Sequence, residues 1–331
     1  MLIYVGSYPP GVGVSVFTGG DPSGLRPAPA IAKLPSASFL AAHPRLPVTY
    51  AVSELAQGSV HALVAEPGGT LGLLGSRETG GAEPCHLAVS PDCRYLVCAN
   101  YGSGSVAVFP IDGSGALGDR TDLVPHLGQG PDPERQEAAH AHQVVPVGDE
   151  VVAVDLGTDT LYGYRLDGGR LRLAWTASAP DGAGPRHIAV HPSGLRFVAD
   201  ELSSTVSVYG VAERGLALLS RRPSTLVEPA RRNYPAEIAV SPDGTNVYVS
   251  NRGNDTIATF RVDGAELVPV DEVGSGGAWP RHFTIVGPWM HVANERSDTV
   301  AVLRLDPGSG APVPTPYRIE VPRPACVLAW G

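Results

Sequence analysis

One phrase recurs along this chain, and its period constrains the fold more than any other feature. It reads Pro84-Cys85-His86-Leu87-Ala88-Val89-Ser90-Pro91-Asp92, followed by Tyr95 to Phe109, and it returns from Pro185, Pro235 and Pro280. Weaker copies begin near Ala37, Ala141 and Pro324, so the seven starts are separated by 47, 57, 44, 50, 45 and 44 residues. Within each copy, short β-branched and apolar runs alternate with turn signals such as Pro-Asp-Gly at 242–244 and Gly-Ser-Gly at 102–104. That pattern predicts strand, turn, strand, turn, strand. A fourth, more polar strand fits the remainder, for example Leu171 to Ala177.

Four short strands per repeat of this length predict an all-β, seven-bladed β-propeller, with residues 1–331 as one domain. The copy from Pro324 to Trp330 lacks outer strands, while Met1 to Phe17 supplies two strands with no inner strand before them. The N-terminal strands are therefore expected to complete the last blade and close the ring without a free sheet edge. Composition agrees: 40 Gly, 32 Pro, 43% hydrophobic and 17% charged residues describe a turn-rich, core-forming chain.

The same composition excludes several partners. No apolar run approaches the roughly 18–20 residues that cross a bilayer, and the first residues lack a basic leader, so the expectation is a cytoplasmic protein without membrane contact. A formal charge of −9 disfavours nucleic acid, and any anionic ligand must be held by a local cluster. Cys85, Cys93, Cys98 and Cys326 show no CxxC spacing and read as reduced, structural thiols.

The repeat also places a site. Antiparallel geometry brings the residue after each repeat's Pro and the residue ending the second strand to one end of the blade. Around seven blades these positions ring one channel mouth. One set is Ser38, Cys85, His142, Arg186, Ala236, Arg281 and Ala325; the other is Glu54, Tyr101, Leu156, Glu201, Arg252, Glu295 and Tyr8. Residues that recur in one slot are expected to serve the blade: His86, His187 and His282 by packing or hydrogen bonding between blades, and Asn100, Asp155, Asp200, Asn251 and Asn294 by capping the next turn. His43 and His191 are expected as exposed turn residues on the opposite side. Glu201 shares a blade with Arg186, placing an acid or base beside a fixed cation, and Glu295 with Arg281 repeats the arrangement.

The two longest spacings arise in 125–140 and 227–234, and both segments should enter the same mouth. The first ends Ala-His-Ala-His, bringing His140 and His142 to a bound ligand; imidazole is well matched to proton transfer near neutrality. Two imidazoles without an evident third ligand are weak grounds for a metal, so no metal or other cofactor is expected. The second segment carries Arg231 and Arg232, a solvated loop or a phosphate contact.

These residues carry a resemblance. Ala-His-Ala-His-Gln (139–143), Gly-Pro-Arg-His-Ile-Ala-Val-His-Pro (184–192), Asp-Glu-Leu-Ser-Ser-Thr-Val (200–206), Ser-Asn-Arg-Gly-Asn-Asp-Thr-Ile (250–257) and Pro-Arg-His-Phe (280–283) resemble, in order, the seven-bladed propeller lactonases. That family includes bacterial propeller-type 6-phosphogluconolactonases and fungal carboxy-cis,cis-muconate cyclases, and the resemblance covers essentially the full length. It implies a metal-independent site at one mouth, with His142 or His140, Arg186, Glu201 and Arg252 in catalysis. Arg281, Tyr101, Glu295 and Arg232 stand as further substrate contacts. The family usually has Asn where Asp200 stands.

The implied activity is hydrolysis of a small anionic sugar lactone, 6-phosphogluconolactone first, with Glu201 or His142 as base and the other as acid. The arginines would stabilise the oxyanion or anchor an acidic group. Two alternatives use the same fold: a muconate-type cyclase, which runs related chemistry in reverse, and a binding propeller without catalysis. A calcium-dependent lactonase is opposed by inner slots richer in arginine than in carboxylate.

Overall fold

The structure is a computed structural model that describes residues 2–21, 24–66 and 70–330. Its strands form seven four-stranded antiparallel sheets. The inner strands are Leu40–Ala42, Pro84–Val89, Ala141–Val147, Pro185–Val190, Tyr234–Val240, Pro280–Val286 and Pro324–Trp330, each beginning within three residues of a start read from the repeat. The expected polar fourth strand of the third blade is Arg170–Ser178.

Second strands such as Val48–Ser53 and Asn246–Arg252 are buried along their whole length, because sheets cover both of their faces. Tyr50, Val52, Leu96, Cys98 and Phe109 pack as one cluster across two neighbouring blades, and Phe197, Val208, Ile238, Val249 and Phe260 do the same three blades further on. Outer strands such as Gly215–Pro223 expose much of their length, which accounts for their polar composition. Cys85, Cys98 and Cys326 are buried free thiols, and Cys93 is partly exposed. Among the described residues no helix is long and apolar enough to cross a membrane.

The ring closes as the truncated copy implies. Leu2–Ser7 pairs antiparallel with Pro324–Trp330, in register from Leu2 against Trp330 to Gly6 against Cys326, and Gly13–Thr18 and Arg26–Lys33 complete the sheet. Gly6 lies where this sheet meets the first blade, and a Cβ there would collide with the backbone carbonyl of Ala37. Gly6→Ala is expected to cost about 1–3 kcal/mol through overpacking at the closure. A shift of the urea midpoint at unchanged slope checks this, and an unshifted midpoint would show that the seam is loose.

One backbone device then builds the mouth. In six blades the residue just past the second strand donates its N–H to the carbonyl of the residue before the repeat start. The pairs are Glu54 to Ser36, Tyr101 to Glu83, Leu156 to His140, Glu201 to Gly184, Glu295 to Trp279 and Tyr8 to Arg323, at 2.7–3.1 Å. In the fifth blade, Arg252 pairs with Tyr234 in the ladder itself. Ser36, Glu83, Gly184, Trp279 and Arg323 adopt positive φ of 42–66° to make this turn, which only Gly184 does without steric cost.

Candidate active site

The mouth is centred on Glu201. Its Oε2 accepts a hydrogen bond from Arg252 Nη2 at 2.6 Å, and its Oε1 accepts one from Arg135 Nη2 at 2.7 Å. Arg186 Nε lies 3.2 Å from Oε2, within ion-pair reach but not aligned as a hydrogen bond. Burial alone would push the Glu201 carboxyl up, yet Arg252, Arg186 and Arg135 together hold it well below the usual carboxylate range. Arg186 shows the other side of this balance. Burial first, then the like charges of Arg252 and Arg281, push it down from an arginine's ordinary value against the opposing pull of Glu201 and Glu237. Its Nε and Nη1 are buried without a hydrogen-bond partner.

The two histidines of the Ala-His-Ala-His segment part ways. His140 stacks on Tyr101 at 4.4 Å, and its ring nitrogens lie 3.0 Å from the Tyr101 carbonyl and 3.2 Å from Glu137 Oε1, so both are engaged. His142 is buried with its Nδ1 unpartnered, edge-on to Tyr101 at 5.6 Å and to His187 at 5.2 Å. Burial, followed by the Arg186 charge, holds His142 well below an imidazole's ordinary value, leaving it neutral.

A second cluster forms the opposite wall. Arg281 lies over the Tyr8 ring at 5.0 Å and 3.8 Å from Glu295; Glu295 in turn takes a 2.7 Å hydrogen bond from Arg323, and Tyr8 donates its hydroxyl to Glu54. Arg232 sits at the rim, 60% exposed, over Tyr234 and 4.0 Å from Asp132. The mouth thus gathers the named residues, with Arg232 furthest out.

Below the mouth, the slot after each first-set residue lines the axis. Phe39, His86, His187 and His282 contact one another across it, with ring centroids 4.0–6.4 Å apart. The recurring histidines therefore do pack, but across the channel rather than only between neighbouring blades. Glu237 fills this slot in the fifth blade, 3.0 Å from His187 Nδ1 and 3.4 Å from His282 Nε2, and burial pushes its carboxyl up against the opposing pull of Arg186. A small cavity of about 10 Å³, close to one water, lies between Phe39, Arg186, His187, Arg281 and His282.

Two other expectations are corrected. Of the recurring Asn and Asp residues, Asp155 does cap its turn, accepting from Thr158 N, but Asn251 bonds to Asn233 and Ser224, Asn294 to Ser275, and Asp200 to Thr205 and Ser207. They cross-link strands and entering loops because they are fully buried and must spend their polar atoms inward. His43 is buried rather than exposed, its Nδ1 accepting from the amides of Arg45 and Leu46. Arg135, Glu237 and Arg323 are charged groups of the site that repeat alignment did not single out. Among the described residues no group of three His, Cys, Asp or Glu side chains is arranged to hold a metal ion.

Over residues 2–329 the chain matches the family described as Lactonase, 7-bladed beta-propeller. It is 33% identical over 341 residues to the 6-phosphogluconolactonase of Bacillus subtilis (strain 168), covering 98% of this chain and 97% of the relative. The periplasmic gluconolactonase of Pseudomonas aeruginosa superposes with a TM-score of 0.90 at 27% identity, covering 99% of each chain. A protein from Lactobacillus plantarum gives 0.92 at 28% identity over 98% of each. With its seven blades and a match over nearly its whole length, the chain belongs to the seven-bladed β-propeller lactonase family.

Proposed function

We propose that the mouth hydrolyses a sugar lactone, 6-phosphogluconolactone first, without a metal ion and with His142 moving the protons. The observation that carries this reading is the pairing of unpartnered buried groups. Arg186 Nη1 and His142 Nδ1 are buried without a hydrogen-bond partner beside Glu201, while Arg186 Nε has only its 3.2 Å ion-pair contact with Glu201 Oε2. Each such orphan costs about 1–3 kcal/mol, a cost recovered when a ligand supplies the missing partner. A lactone does so, its carbonyl oxygen accepting from Arg186. The names of the relatives support the same substrate class.

In the proposed reaction His142 takes a proton from water as its oxygen bonds to the lactone carbonyl carbon. The carbonyl electron pair moves onto oxygen, where Arg186 and Arg252 stabilise it. Collapse restores the carbonyl, breaks the ring C–O bond, and passes the proton from His142 to the leaving alkoxide. Glu201 fits anchoring rather than proton transfer: a carboxylate held that low takes no proton from water and carries none for the leaving oxygen. Its role is to orient three guanidinium groups.

The test is hydrolysis of freshly generated 6-phosphogluconolactone by purified protein with chelator present throughout. Acceleration well above the spontaneous rate is expected; none would remove this substrate. A second expected result concerns pH. The base must be unprotonated, and burial and Arg186 lower His142 from 6.5, so kcat/KM should stay level across neutrality and fall only on an acid limb below pH 6.5. A limb centred above that value would count against His142.

A further inference from the structure

Leu156 is the one apolar residue among the second-strand ends that ring the mouth, and it is fully buried. The segment 126–140 lies over it and is fastened at several points. His126 Nδ1 pairs with Asp155 at 2.7 Å. Gln136, with no exposed surface, donates to the Leu156 carbonyl at 2.8 Å and accepts from Asp132 N through Oε1. Asp132 Oδ1 accepts from the amides of Glu134 and Arg135. This pinned turn delivers Arg135 to the place where the third blade's own slot has no charge to offer.

Arg135 is 36% exposed, whereas Arg186 and Arg252 are buried, so it is the Glu201 partner that an entering ligand meets first. Its Nη2 serves Glu201 Oε1 and Tyr101 OH. Its Nε and Nη1 have no hydrogen-bond partner among the described residues. Arg232, on the segment before the fifth blade, lies 4.0 Å from the same Asp132. Two guanidinium groups from two inserted segments therefore flank one entrance, and a guanidinium with free N–H groups suits a phosphate.

We propose that Arg135 is the specificity-determining residue for substrate charge, receiving the phosphate of a phosphorylated lactone on its free Nε and Nη1, with Arg232 as the second cation. The inference rests on the phosphorylated-lactone reading above. Arg135→Gln and Arg135→Lys are assayed on 6-phosphogluconolactone and on unphosphorylated glucono-δ-lactone. Arg135→Gln should lower kcat/KM for the phosphorylated substrate about 10- to 100-fold more than for the unphosphorylated one, with the excess loss mostly in KM. Arg135→Lys should recover part of the loss, since it keeps the charge but not the fork. Equal losses on both substrates would mean that Arg135 only holds Glu201, and no loss on either would mean that it does neither; both overturn the proposal.

Binding of 6-phosphogluconate against gluconate, measured by calorimetry, separates the two readings. If the wild type turns over neither lactone, the substrate reading has failed. A phosphate preference present in the wild type and lost in Arg135→Gln still supports the role of Arg135, and a wild type without such preference overturns it.

Discussion

His142→Gln is expected to lower kcat for lactone hydrolysis about 10²- to 10⁴-fold with little change in KM, the range found when a general base is removed. Stability should barely move, because the His142 Nδ1 makes no hydrogen bond that the substitution would break. The backbone at this position is held independently: Cys85 Sγ donates to the His142 carbonyl at 3.2 Å. Single-turnover rates beside a thermal melt check the two halves of the expectation. Undiminished turnover would move the base elsewhere. His140→Gln is the natural control, since that ring already spends both nitrogens on Tyr101 and Glu137.

Glu201→Gln should act on both fold and activity. It leaves Arg186 and Arg252, both buried, and Arg135 around an uncharged amide, and removing one partner of a buried ion pair costs about 3–5 kcal/mol. Turnover should fall with it, because the guanidinium groups lose the anchor that aims them. The sign of the pH dependence follows from the depressed carboxyl. The carboxylate contributes its stability above the ordinary value of 4.5, where the unfolded chain is also ionised, and loses it as the pH falls toward the much lower folded value. The stability gap between wild type and variant should therefore be full at neutral pH and narrow below pH 4.5. Denaturant midpoints across that range decide it; a gap that widens in acid would contradict the ion-pair account.

The blades were legible because each repeats the same inner-strand phrase, and the closing strands were legible because Pro324 to Trp330 begins a copy it does not finish. The mouth ring followed from strand geometry applied to that repeat. Arg135 was hidden because its position depends on the path of an insertion, and an insertion has no repeat counterpart to align. The available signal was indirect: an apolar Leu156 in an otherwise polar slot, beside the longest spacing. Glu237 was hidden for a different reason. It occupies the histidine slot of its blade, and only the view across the axis shows a carboxyl facing His187 and His282. His43 illustrates the limit of reading turns as surface, since the amides of Arg45 and Leu46 draw it inward.

The shared seventh sheet makes the ring a clasp, and one wall of the mouth straddles it. Tyr8 follows the closing strand, Arg323 precedes its partner, and both guanidinium groups of Arg281 and Arg323 rest on the Tyr8 ring, at 5.0 and 5.3 Å. Unfastening Leu2–Ser7 from Pro324–Trp330 would bare two strand edges and scatter that wall in the same motion. The shape of the mouth and circular integrity are thus mechanically joined: a nick or a loosened register at the seam, far along the chain from Glu201 and His142, would be felt at the entrance they share.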